Sequence, residues 1–294
     1  MLSDSRLVMN KTSLEKEQWD LEIKPATKVF NLHLKDVWNY RDLLWSLVRR
    51  DFVSFYKQTI FGPLWFFIQP IFTTVIYTFI FGRMAGLSTE GVPPALFYLS
   101  GIIAWNYFAE CLTKTSTVFR DNAGVFGKVY FPRLIMPLSI VVSNLVKFVV
   151  QLLLFLLMLG WYLLKGSAVH PNAFLLLLPV IILLMALQGF GLGLIVTALT
   201  TKYRDLAFLV AFGVQLAMYA TPVIYPLSAV PPSFRSIIAY NPLSGLIETF
   251  RYAFLGSGHF YGGAFLYSVI ATLLVFFIGV FIFNKVEKNF VDTV

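Results

Sequence analysis

The sequence predicts an all-α polytopic membrane protein with six transmembrane helices, and two observations carry that reading. First, 58% of the 294 residues are hydrophobic, only 13% are charged, and mean hydropathy is +0.75. That is more apolar surface than a soluble core of this length could hide from water. Second, six apolar stretches begin near Leu64, Pro94, Leu134, Ala173, Leu206 and Gly262, and threading them alternately through a bilayer places 18 of the 23 Lys and Arg residues on one side. Ten lie in residues 1–62, four between the second and third stretches, two between the fourth and fifth, and two after the sixth. Since cytoplasmic loops retain Lys and Arg, both termini are expected in the cytoplasm.

The chain divides into an N-terminal cytoplasmic segment, residues 1–62, and a transmembrane domain, residues 63–294. The first 25 residues contain Asp4, Glu15, Glu17, Asp20 and Glu22 and no central apolar run, so no cleavable signal is expected. From Val37 a helical period emerges: Val37, Leu44, Trp45, Val48, Phe52, Phe55 and Tyr56 share one face, and Asn39, Asp42, Ser46, Arg49 and Arg50 the other. This predicts an amphipathic helix on the inner surface. Gly62 and Pro63 then turn the chain into the first span.

Residues 64–82 suffice to cross a hydrocarbon core of about 30 Å, with Pro70 kinking the helix. Residues 94–112 return inward, and 114–133 form a basic cytoplasmic segment. The stretch 134–164 exceeds one crossing, so its helix tilts or extends into the cytosol. Residues 173–200 carry Gly189 and Gly193, a small-residue face that lets two helices approach closely. A tight turn at 201–205 leads to the fifth span, 206–225, and 262–284 forms the sixth.

The intervening residues, 225–262, are too apolar for a solvated loop yet are broken by Pro226, Pro231, Pro232 and Pro242. They predict re-entrant outer helices between spans five and six. Asn241 suits an N-cap, Pro242 the first helical position and Gly256 the stop, so one helix is expected over 242–255. At about 21 Å it is too short to cross.

Chemistry is excluded more readily than assigned. The Gly127-Lys128 pair has Asn122 where a phosphate-cradling loop needs its first glycine and Val129 where it needs Ser or Thr. His33, His170 and His259 are far apart in sequence and offer no metal-ligand spacing. The lone Cys111 excludes an intrachain disulfide and reads as a small packing residue. The +8 formal charge sits where anionic headgroups meet it, so no nucleic-acid partner is expected. Buried carboxylates, which an ion-coupled carrier needs, are scarce apart from Glu110. Lys147 has two open readings, snorkelling to the inner interface or facing a pore. Aromatic residues such as Trp65, Trp105, Tyr107 and Trp161 read as interfacial anchors. Tyr77, Tyr98, Tyr219 and Tyr225 instead suit a conduit, where a ring bearing a hydroxyl fits sugar faces and edges.

Several short motifs, taken in order against six spans, resemble the membrane subunit of type-2 ABC exporters that move O-antigen, capsule or teichoic acid polysaccharides. They are Tyr56-Lys57-Gln58-Thr59 with Gly62-Pro63-Leu64-Trp65 and Pro70, Asn122-Ala123-Gly124 through Lys128-Val129-Tyr130-Phe131-Pro132-Arg133 with Pro137, Tyr203-Arg204-Asp205-Leu206, and Asn241-Pro242-Leu243 with Glu248, Phe250 and Arg251. The resemblance covers the chain from about Val37 onward. It implies a bacterial inner-membrane permease that works as a homodimer with two copies of a separate ABC ATPase, exporting a lipid-linked polysaccharide. ATP and Mg would be bound by that partner, and no cofactor by this chain. By the same resemblance the helix from Val37, with Arg49 and Arg50, is an interface helix. Residues 118–130 form a coupling helix, with Phe119, Arg120, Phe126 and Lys128 toward the ATPase. The outer helices act as a gate built on Asn241, Pro242, Glu248 and Arg251. A type-2 exporter of drugs or small lipophiles, or an ion-coupled carrier, are the alternatives.

Overall fold

The computed structural model describes residues 34–57, 59–126, 131–200, 203 and 205–286; the expectations for residues 1–33, Lys128 and Arg204 lie outside them. Among the described residues every regular element is helical. The chain opens with α1 (Leu34–Asn39) and α2 (Arg41–Lys57). In α2, Leu47 and Val48 are buried, whereas Trp45, expected beside Val48, is 64% exposed. The buried face is thus rotated toward Leu47, where α2 packs on α7.

The first span is built in three pieces: a 3-10 turn at Gly62–Leu64, α3 (Trp65–Tyr77), and a π-helical stretch, Thr78–Met84. Pro70 lies within α3 and is buried. Next, α4 (Pro94–Ser116) is buried along most of its length and forms the axis of the molecule, against which α3, α7, α8, α9 and α11 pack. Two short helices follow, α5 (Val118–Asp121) and α6 (Ala123–Phe126). Then α7 (Ile135–Leu164) supplies the long third span, and a 3-10 turn at Ala173–Leu177 leads into α8 (Leu178–Thr200).

The glycine pair sets how closely α8 approaches α4. A Cβ on Gly189 would stand 2.8 Å from Cys111 Cβ and from the Phe108 carbonyl oxygen, and one on Gly193 would stand 2.5 Å from Thr115 Cβ. No larger residue fits without separating the helices. Cys111 is fully buried at this seam, the packing role its isolation predicts. Thr197 and Thr200 extend the seam inward by donating to the Thr115 and Ser116 carbonyls at 2.8 and 2.5 Å.

The fifth stretch departs from expectation. Helix α9 (Leu206–Tyr219) stops after 14 residues, about six short of the predicted run, although its composition stays apolar. The cause is Pro222, which has no N–H for the Met218 carbonyl and biases Thr221 away from helical backbone. Residues 221–224 continue as a buried non-helical strap. A 3-10 turn at Leu227–Ala229 then leads to α10 (Pro232–Ala239), α11 (Pro242–Leu255) and α12 (Gly262–Val286). Helix α11 has the expected bounds and caps: Asn241 Oδ1 accepts from the Leu243 N–H at 3.0 Å, and Gly256 adopts φ +67°.

Five helical runs among the described residues are long and apolar enough to cross a membrane, so the protein is a multi-pass membrane protein. Its interior has two parts. One centres on α4 with Tyr98, Phe148, Phe155 and Phe250, and the other is an inner cluster of Leu47, Val118, Phe119, Ile135, Phe190 and Phe283.

Candidate functional site

At one end of the bundle, the structure brings α2 and the α5–α6 segment together. Arg50 Nη2 donates to Asp51 Oδ1 at 2.8 Å and to Asn122 Oδ1 at 3.3 Å, so one guanidinium bridges two elements far apart in sequence. Arg49 is exposed beside it. Arg120 is exposed too and pairs with Asp121 at 2.9 Å, while Asp121 Oδ2 accepts from the Thr117 hydroxyl at 2.6 Å. Phe119 faces the other way, in contrast to the expectation of a partner contact. It is buried and stacks on Phe283 of α12 at 5.5 Å. A helix this short has little stability of its own, so an inward aromatic is what pins the segment to the bundle. Phe126 closes α6.

Glu110, Lys114, Asn144 and Lys147 form a polar node between α4 and α7. Lys147 Nζ donates to Glu110 Oε2 at 2.6 Å, and Lys114 Nζ donates to the same oxygen at 3.1 Å and to Asn144 Oδ1 at 3.3 Å. Lys147 also lies over the Phe66 ring, 5.7 Å from its centroid. The ammonium is therefore held by a partly exposed carboxylate and an aromatic face. A cation at this depth is retained only with such partners.

The four candidate conduit tyrosines gather where α3, α4 and α9 meet. Tyr77 and Tyr98 stand edge to face at 6.3 Å, with Phe81 against both. Tyr77 Oη reaches Met218 Sδ at 3.7 Å, next to Tyr219, whose carbonyl accepts from Tyr225 Oη at 2.7 Å. Tyr98 is wholly buried, Tyr77 and Tyr225 are half-buried, and Tyr219 is exposed.

Helix α11 holds the most constrained charge. Arg251 is 2% exposed. Its Nη1 donates to the Pro222 carbonyl at 2.6 Å and its Nη2 to the Val223 carbonyl. The guanidinium carbon lies 3.9 Å from the centroid of Phe97, and Nη1 is 3.6 Å from Glu248 Oε1. That carboxylate also accepts from the Leu227 N–H at 3.1 Å. So the i,i+3 pair is no solvated surface pair: it binds α11 to the strap and to the 3-10 turn after it, satisfying carbonyls that lie beyond the end of α9. Asn241 has a second task, with Nδ2 donating to Thr221 Oγ1 at 2.7 Å, while Pro242 opens α11.

Two participants have roles that the sequence does not assign. Gly101 on α4 gives the strap and Arg251 their space, since a Cβ there would stand 2.5 Å from Arg251 Nη2 and 2.6 Å from the Val223 oxygen. Asn122 receives Arg50. Asn122 opens a motif and Gly101 carries none, but the role of each depends on a residue distant in the chain.

Comparison with known proteins agrees with this architecture. The chain is 30% identical over 256 residues to the O-antigen export system permease protein RfbA of Klebsiella pneumoniae, covering 85% of this chain and 94% of that protein. It is 30% identical over 223 residues to the RfbA permease of Myxococcus xanthus, covering 75% and 83%. The polysialic acid transport protein KpsM of Escherichia coli is 21% identical over 244 residues, covering 83% and 93%. Residues 42–255, from α2 to the last residue of α11, match the model of the ABC-2 type transporter family, and the chain belongs to that family.

Proposed function

We propose that this protein is the permease subunit of an ATP-driven exporter that moves a lipid-linked, O-antigen-like polysaccharide across the bacterial inner membrane. Its similarity to O-antigen export permeases along most of both chains carries this reading. Two permease subunits pair with two copies of an ABC ATPase, which binds ATP and Mg2+ and supplies the force. Both termini are cytoplasmic, and six crossings result when α9 and the strap after it count as the fifth.

Supporting the coupling assignment, α2 and α5 share the Arg50–Asn122 bond at the inner end, so a push on either element reaches the other. Arg49, Arg50, Arg120, Phe126 and Lys128 are the ATPase-facing residues of this reading, and Phe119 anchors them from behind. A hydrated polymer needs a wide path between subunits rather than a tight pocket, and the seam of Tyr77, Tyr98, Tyr219 and Tyr225 supplies stacking surface for it. The outer helices with Asn241, Pro242, Glu248 and Arg251 form the gate.

Reconstitution tests this. The chain, co-purified with its ATPase and placed in liposomes, should move lipid-linked glycan only when ATP is hydrolysed, and deletion in cells should leave the lipid-linked polymer on the cytoplasmic side. Transport by the isolated chain in an ion gradient would refute the reading.

A further inference from the structure

A groove of about 330 Å³ opens on the side of the molecule between the first span, the N-terminal end of α4 and the C-terminal half of α7, lined by Ile71, Thr74, Thr78, Arg83, Leu99 and Met158 among others. Its volume is within the range of small-molecule sites, about 300–1,000 Å³. The walls are mainly apolar, and Ile71, Val75 and Phe79 leave an apolar mouth.

Three polar groups interrupt that apolarity in sequence along one wall. Thr74 is 5% exposed, and neither its hydroxyl nor that of Thr78 has a hydrogen-bond partner among the described residues. This is unusual within the same helix, where Thr73 returns its hydroxyl to the Gln69 carbonyl at 2.9 Å. An unmade bond on a buried hydroxyl costs about 1–3 kcal/mol, a cost that a ligand acceptor would remove. Arg83 stands at the far end, in the last turn of the π-helical stretch, and forms no ion pair with the described residues. The wider π-helical turn carries both Thr78 and Arg83, a backbone departure common where helices line sites.

We infer that this groove binds one anionic phospholipid of the surrounding bilayer, with an acyl chain along the apolar wall, ester carbonyls at the Thr78 and Thr74 hydroxyls, and the phosphate on Arg83. The order of groups matches the order in such a lipid: anion outermost, acceptor oxygens next, hydrocarbon deepest. A polyprenyl carrier has the phosphate and the chain but lacks ester acceptors, so the threonines favour a glycerophospholipid. Placement in the outer leaflet rests on the orientation proposed above.

Native mass spectrometry of the full-length protein, released from nanodiscs and titrated in turn with phosphatidylglycerol, diacylglycerol and inorganic phosphate, tests this. One phosphatidylglycerol should remain on each chain, and diacylglycerol should bind at least about tenfold more weakly, the loss of one charge-assisted contact. Arg83→Gln, an exposed change that leaves the packed core untouched, should cause a similar loss. Leu154 lines the same groove one helical turn before Met158, and Leu154→Trp, and independently Met158→Trp, should abolish the adduct by filling it.

Equal retention of phosphatidylglycerol by Arg83→Gln or by both filled variants would overturn the site, as would equal binding of diacylglycerol or saturation by inorganic phosphate alone. Dissociation of the oligomer by the filled variants would assign the groove to a second copy of the chain and overturn it too. Nanodiscs expose both faces, so the titration reads the groove alone. Labelling of Arg83→Cys by an impermeant maleimide from outside the cell tests the orientation separately.

Discussion

Arg251 lies beneath the point where α9 ends, and its five donors in a rigid fork explain why that position takes arginine rather than lysine. One guanidinium serves two successive carbonyls, stacks on Phe97 and faces Glu248 at once. Removing one partner of a buried charge pair costs about 3–5 kcal/mol, because the remaining charge stays buried. Arg251→Met should therefore lower thermal stability in detergent by about that amount, read as a large drop in melting temperature. Arg251→Lys should recover little, since an ammonium cannot span both carbonyls while lying flat on a ring. Gly101→Val should mimic the loss from the opposite side by driving the guanidinium out. Wild-type melting for Arg251→Met would remove the anchoring role assigned here.

At the scale of elements, α2 and α5 behave as one unit whose links are solvent-exposed and individually weak. The Arg50–Asn122 bond contributes at most about 1 kcal/mol to stability. Arg120→Ala combined with Phe126→Ala should accordingly leave folding and membrane abundance unchanged, yet uncouple ATP hydrolysis by the assembled exporter from glycan export. Unaltered export alongside normal hydrolysis would end the coupling assignment. These elements also mark where sequence reading succeeds. Apolar period and length locate the long helices, and Asn241, Pro242 and Gly256 locate both ends of α11, because these signals are local. The family resemblance turns Phe119 toward a partner, whereas the residue that holds it inward, Phe283, is far along the chain. The same holds for Glu110 and Lys147, 37 residues apart, whose mutual neutralisation no window of sequence contains. The early stop of α9 was legible in Pro222, but apolar composition outweighed it in the prediction of a longer helix.

For the whole molecule, the number of crossings turns on that early stop. The 14 residues of α9 rise about 21 Å, short of a hydrocarbon core of about 30 Å. The residues after Tyr219 form a hydrogen-bonded turn, with Thr221 N–H on the Met218 carbonyl and Val223 N–H on the Thr221 carbonyl, so a fifth crossing requires this turn and the chain beyond it to cover the remaining depth. Bare backbone at such depth is tolerated only when protein satisfies it, and here Arg251 takes the Pro222 and Val223 carbonyls and Glu248 takes the Leu227 N–H. The anchoring of the strap and the sixth crossing are thus one hypothesis seen at two scales. Five crossings would leave the two termini on opposite sides of the membrane; six return them to the same side. Reporter fusions at each terminus should therefore both report cytoplasm, with insertions near Gly86 and near Gly166 reporting the outer side. A C-terminal fusion active outside, with the N-terminal fusion still cytoplasmic, would mean that α9 and the strap dip into the bilayer and return. That outcome would contradict the fold itself, in which the Leu255 and Ala253 carbonyls accept from the His170 and Asn172 N–H groups and Ser228 bonds Glu90, tying α11 and the turn before α10 to the loops near Gly86 and Gly166, and the gate would have to be sought elsewhere.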